Sequence, residues 1–181
     1  MRRIVLVNGA PASGKSTVVD RLRRHLPVAN VFEMDAIKEA FMDVFGAFGG
    51  EDSLRLSRAA SAAIWRLIGT SSTDSLSIVD CWIQESEREE LLMALEASGA
   101  DRVVEVWCHA EPSTVVERYV ERVPRRHPGH LGAEFAPQLR RIIATASPVG
   151  VGELVRIDTE RDDLDVAALR VADLVNTESA P

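Results

Sequence analysis

The stretch RIVLVNGAPASGKSTVVDRLRRHL, residues 3–26, constrains the fold more than any other part of the chain. Its apolar, β-branched start at residues 3–7 predicts a strand buried on both faces. A loop of small residues follows. Lys15 then opens a helical pattern in which Val18, Val19, Leu22 and Leu26 recur at helical spacing. The loop itself, Gly9–Ser16, fits G-x-x-x-x-G-K-[ST] in full. Successive backbone N–H groups of such a loop converge on an anion, and the helix behind it adds its positive dipole end. Gly9 and Gly14 permit the backbone conformation and the close approach that a side chain would deny. The pattern therefore predicts that Gly9, Ala10, Pro11, Ala12, Ser13, Gly14, Lys15, Ser16 and Thr17 cradle the phosphates of ATP. Lys15 reaches the β- and γ-phosphates, and the Ser16 hydroxyl is a ligand for Mg²⁺.

The same strand-then-helix rhythm continues along the chain. Apolar runs at 30–34, 76–80, 102–108 and 154–158 predict four more strands, each followed by a helical pattern. One helix runs from Asp35 to about Phe45 and is stopped by GAFGG. The next is capped by Asp52 or Ser53 and ends before Gly69. Five repeats of strand and helix predict an α/β three-layer sandwich around a five-stranded parallel sheet. No internal repeat or linker divides the 181 residues, so 1–181 reads as a single domain, with TESAP as a frayed tail. The segment 122–137 breaks the rhythm, holding three prolines, two glycines, two histidines and three arginines.

Composition narrows the function classes. A net charge of −7 gives no global electrostatic reason to bind nucleic acid or anionic lipid, and neither is expected as a partner. No run approaches the ~20 apolar residues of a membrane span. The two cysteines, Cys81 and Cys108, fit reduced thiols better than a disulfide framework, which points to a cytoplasmic location.

The motif GAPASGKST with this alternation resembles the P-loop kinases. The resemblance is to small-molecule phosphotransferases of the chloramphenicol phosphotransferase-like, gluconate kinase-like and shikimate kinase-like groups. It implies sheet order 2-3-1-4-5 and directs attention to three further features. Asp35 closes the second strand in VFEMDAIKEAF, where that family places a carboxylate that orients or deprotonates the acceptor hydroxyl. Helix capping is the alternative for Asp35. Lys38, one turn on, reads as part of a solvated face. Asp80 ends the strand LSIVD, the form of a magnesium-binding Walker B strand, with a strand-end turn as the alternative. The acid that often follows in ATP-hydrolysing motors is replaced by Cys81 and Trp82, as suits a kinase whose nucleophile comes from the substrate.

The third feature is the arginine-rich stretch ERYVERVPRRHPGH. By resemblance it is a lid at 122–137, whose Arg122 and Arg126 neutralise charge on the transferring phosphoryl group. Arg118, four residues before Arg122, is expected at the nucleotide. A solvated basic turn balanced by Glu117 and Glu121 is the alternative. His127 and His130 have zinc-like spacing but no partner pair, so a phosphate or substrate contact or a turn role fits them better. Arg161, after the fifth strand, is the candidate for stacking on adenine. Phe41, Phe45, Phe48 and Trp65 offer apolar surface either to an acceptor or to the core.

These features together imply an ATP- and Mg²⁺-dependent phosphotransferase acting on a hydroxyl of a small molecule. A nucleoside, nucleotide or polynucleotide-end kinase is the nearer alternative. An ATPase or switch module working through a protein partner is the more distant one.

Overall fold

A computed structural model describes residues 1–46 and 50–177. The expected apolar contribution of Phe48 and most of the expected frayed tail lie outside these residues. Five strands, β1 (Arg3–Asn8), β2 (Asn30–Glu33), β3 (Leu76–Asp80), β4 (Arg102–His109) and β5 (Glu153–Asp158), form one parallel sheet in the order β2-β3-β1-β4-β5. This is the order that the resemblance implies. Between and after them run α1 (Lys15–His25), α2 (Met34–Phe45), α3 (Gly50–Thr70), α4 (Arg88–Ser98), α5 (Pro112–Arg122), α6 (Ala136–Thr145) and α7 (Leu164–Asn176).

The two-residue period of β1 assigns its side chains to two separate cores. Val5 and Val7 face α1 and α7, meeting Val18, Val19 and Leu22 from the first and Ala168, Val171 and Val175 from the second. Ile4 and Leu6 face the other way, toward Ile64 and Ile68 of α3 and Leu91 and Leu95 of α4. Each fully buried aliphatic side chain of this kind contributes ~1.5–3 kcal/mol relative to exposure. A third, smaller cluster joins Val115 and Tyr119 of α5 and Leu139 of α6 to Ala10 and Ala12 of the Gly-rich loop. That loop is thus packed against α5 and α6 as well as fixed by β1.

The helix boundaries differ from expectation in two places. Asp52 and Ser53 do not cap α3, which already begins at Gly50, and Gly69 lies inside it. Gly69 sits close to the backbone of Ser98 at the end of α4, so packing of the two helices overrides its weak helix propensity. Asp35 lies in the first turn of α2, two residues past the N-cap position, which Glu33 occupies. Among the described residues no helix is long and apolar enough to cross a membrane.

Candidate active site

The carboxyl ends of β1, β2 and β3 and the start of α1 open onto one cavity of about 1390 Å³, which α2, α3 and the segment after α5 wall in on the other sides. At its inner end lies the Gly-rich loop. Gly14 is left-handed (φ 94°) and caps α1 without a side-chain bond, and Ala12 also has positive φ, at 66°. A side chain at Gly9 would run into the carbonyl of Cys108. The N–H groups that open α1 have no intrahelical partner, and the N-cap residue gives them no side-chain hydrogen bond. Lys15 Nζ donates to the carbonyls of Gly9 at 3.0 Å and Ala10 at 3.2 Å, so its ammonium curls over the loop. An uncapped helix start beneath a folded lysine fits a phosphate chain.

Asp80 completes the inner end. Its carboxylate lies 4.0 Å from Lys15 Nζ and accepts from the Ser16 hydroxyl at 3.4 Å. Burial pushes its pKa up, and the adjacent Lys15 opposes that shift. A hydroxyl and a carboxylate side by side at a phosphate cradle are hard oxygen donors of the kind magnesium takes when it keeps its waters. Cys81 and Trp82 both line the cavity beyond Asp80. The Cys81 thiol is buried and its pKa is raised by that burial, so it is an inert wall.

Asp35 lines the same cavity from α2. Its Oδ2 is 3.6 Å from the Arg126 guanidinium, which also lies 5.4 Å over the ring of Tyr119. Arg122 and Arg125 line the cavity without an ion pair among the described residues. The remaining arginines fall elsewhere. Arg118 donates to the Thr159 hydroxyl at 3.1 Å, and that hydroxyl donates in turn to Ser13 O at 2.8 Å. Arg118 is therefore tied to the Gly-rich loop through one residue. Arg161 is exposed and pairs with Glu111 at 3.2 Å and Asp158 at 3.6 Å.

The histidines join the segment after α5 to α2. His130 Nε2 meets Glu39 at 2.7 Å and His127 Nε2 meets Asp43 at 3.0 Å. With Arg126 on Asp35, three residues of this segment engage Asp35, Glu39 and Asp43, which succeed one another at four-residue steps on one face of α2. Burial, reinforced by Arg126, lowers the pKa of His130. Tyr119 ties α5 to the segment that follows it by donating to Leu131 O at 2.7 Å.

Lys38, Phe41 and Phe45 depart from the sequence reading, and Thr159 lies outside it. Lys38 is not on a solvated face: it is 8% exposed, lines the cavity and donates to the Ser53 hydroxyl at 2.8 Å. Burial lowers its pKa. Trp65 lines the cavity, whereas Phe41 and Phe45 contact each other outside it, ring centroids 6.4 Å apart. Thr159 was not singled out, although it touches both the loop and Arg118. A lone threonine after a strand carries no pattern that would have marked it.

No curated protein matches the chain in sequence. Solved structures match it over nearly its whole length at low identity. A kinase candidate from Chloroflexus aurantiacus J-10-fl is 22% identical with a TM-score of 0.80, covering 94% of this chain and 97% of its own. The gluconokinase of Sinorhizobium meliloti 1021 is 20% identical with a TM-score of 0.61, covering 96% and 94%. The shikimate kinase of Acinetobacter baumannii, crystallised with shikimate, is 14% identical with a TM-score of 0.61, covering 96% and 92%. The AAA domain family AAA_33 matches residues 4–141, and the chain, with its uncapped Gly-rich loop under a parallel 2-3-1-4-5 sheet, belongs to that family and has the fold of the P-loop kinases.

Proposed function

We propose that this protein transfers the γ-phosphoryl group of ATP to a hydroxyl of a small molecule. The observation that carries the reading is the shared cavity. Lys15, Ser16 and Asp80 stand at one end, and Asp35, Arg122 and Arg126 line it from α2 and the lid. A donor cradle and a carboxylate facing the same enclosed space are what in-line displacement by an alcohol requires.

In the transfer, the acceptor oxygen attacks the γ-phosphorus while the bond to the bridging oxygen of ADP breaks. Asp35 takes the hydroxyl proton on its carboxylate and releases it to solvent. Lys15 and the loop amides hold the charge that gathers on the departing ADP. Magnesium, held by Ser16 and by Asp80 in its outer shell, would supply further neutralisation at the phosphates. Arg122 and Arg126 present their guanidinium groups to the cavity from the lid, and the lid's contact with α2 keeps bulk water from competing with the acceptor.

The test is ADP release from ATP and Mg²⁺ with and without antibiotics, sugars, sugar acids and nucleosides, each product weighed by mass spectrometry. A phosphorylated acceptor is the expected result and names the substrate class. Steady ADP release that no acceptor raises, with no phosphorylated product, would instead support an ATPase or switch.

A further inference from the structure

Two polar side chains in the middle of the sheet are fully buried and take no part in the mechanism above: Asn8 at the end of β1 and Glu105 on the neighbouring β4. Glu105 has no cationic partner among the described residues. Its oxygens accept instead from three successive backbone N–H groups, those of Val149 (2.8 Å), Gly150 (2.7 Å) and Val151 (3.1 Å). Backbone N–H groups converging on its two oxygens hold this carboxyl in place and use it as an acceptor. Its fourth donor is the Asn8 side-chain Nδ2, at 3.3 Å.

That contact settles which way the Asn8 carboxamide faces. Nδ2 must point to Glu105, and it donates also to the carbonyl of Ile83 at 3.0 Å. Oδ1 then accepts from Ile83 N at 3.0 Å and Gly9 N at 2.8 Å. Every donor and acceptor of the carboxamide is used, and all four partners agree on one orientation.

The consequence falls on the segment that carries Asp80. The β1–β3 pairing ends with Cys81 N donating to Val7 O at 3.1 Å. Beyond it, the Asn8 carboxamide pairs with both the N–H and the C=O of Ile83, as a further peptide of a neighbouring strand would. One side chain thus joins the first residue of the Gly-rich loop, Gly9, to the third residue after Asp80. We propose that Asn8, oriented by Glu105, is the positioning residue that fixes Asp80 relative to Lys15 and Ser16 and so sets the magnesium dependence of nucleotide binding. This rests on the phosphoryl-transfer reading in so far as Asp80 serves the metal, but its test needs no acceptor and no turnover.

The experiment is titration of the protein with the non-hydrolysable analogue AMP-PNP, once with Mg²⁺ and once with EDTA, alongside thermal unfolding. The readout is the ratio of the two affinities. Asn8→Asp sets two carboxylates against each other, and is expected to lower that ratio roughly tenfold, the lower end of what loss of an outer-shell partner costs a metal site. The affinity in EDTA should stay within about threefold. Val175→Ala, a truncation in the distant core under α7, lowers the melting temperature without moving the ratio. Glu105→Gln is the second variant: it keeps the shape but turns one acceptor of the network into a donor facing Val149 N–H, so it should lower the ratio in the same direction, and it carries the test where Asn8→Asp alone does not fold. A folded protein with either substitution and the wild-type ratio overturns the inference. A wild-type protein that binds the analogue equally with and without Mg²⁺ overturns the metal reading of Asp80 as well.

Discussion

The two ends of the cavity are held by different physics. At the donor end Lys15 and Asp80 side chains are only 12% and 11% exposed, and their surroundings are backbone carbonyls and fully buried polar groups. At the acceptor end the carboxylates are on the surface of α2, with Asp35 65% and Asp43 71% exposed, and their partners come from a distant segment of chain. Buried hydrogen bonds are little touched by salt, whereas exposed ion pairs are worth ~0.2–1 kcal/mol and are screened. The loop end is therefore held by buried contacts that salt hardly reaches, and the α2 end by pairs with one exposed member each, which salt weakens.

Substitutions can break or sharpen that contrast. The largest effect belongs to Lys15→Ala, which removes a donor aimed at developing charge. Turnover should fall by roughly 10³-fold or more, with most triphosphate affinity lost, as titration with ATP will report. Asp35→Asn comes next. It should leave ATP affinity intact and reduce turnover by ~10², the scale of lost proton transfer. Full activity in this variant would show that α2 contributes shape and not chemistry.

The third substitution acts on stability. Because burial raises the Asp80 pKa, the folded protein binds that proton more tightly than the unfolded chain does. Stability is then greatest below the unfolded pKa and falls as pH rises through the raised one. Above that raised value the cost is present in full. Asp80→Asn should raise the melting temperature of the nucleotide-free protein, by about 2–4 °C per kcal/mol relieved, while weakening magnesium-dependent binding. A melting temperature that falls instead would mean that the Asp80 contacts with Lys15 and Ser16 outweigh its burial.

The smallest effect lies in the segment after α5. The lowered pKa of His130 means that the unfolded chain takes up the proton first. The stability due to neutral His130 is present above the ordinary histidine value and is lost as pH falls through the lowered one. Wild type should therefore lose melting temperature relative to His130→Gln as the pH is taken from about 7 to about 5. Parallel curves would mean that Glu39 cancels the burial.

What was legible in the sequence follows the same division. A phosphate cradle needs contiguous backbone, so GAPASGKS declared itself, and Asp80 followed from an apolar strand closing on an acid. Asn8 and Glu105 were visible as polar residues inside apolar strands, but their partners, 75 and 44 residues away at Ile83 and Val149, were not. Glu39 and Asp43 follow Asp35 at helical spacing, but nothing in their own pattern names a partner. Only folding brings Arg126, His130 and His127 against them. Lys38 was misplaced for a related reason. A lysine on a polar helix face reads as solvated until α3 is seen to bring Ser53 over it.

The contacts between α2 and the segment after α5 have a mechanical consequence. The three carboxylates follow one another at steps of about 6 Å, four residues at 1.5 Å each. Their partners do not follow in the same order. Arg126 and His127 are neighbours in the chain, yet they hold Asp35 and Asp43 at the two ends of the row, while His130 holds Glu39 between them. A strip fastened in register can be undone from one end, one contact after another. This segment is fastened crosswise, so a pull on either end of the row loads Arg126 and His127 together.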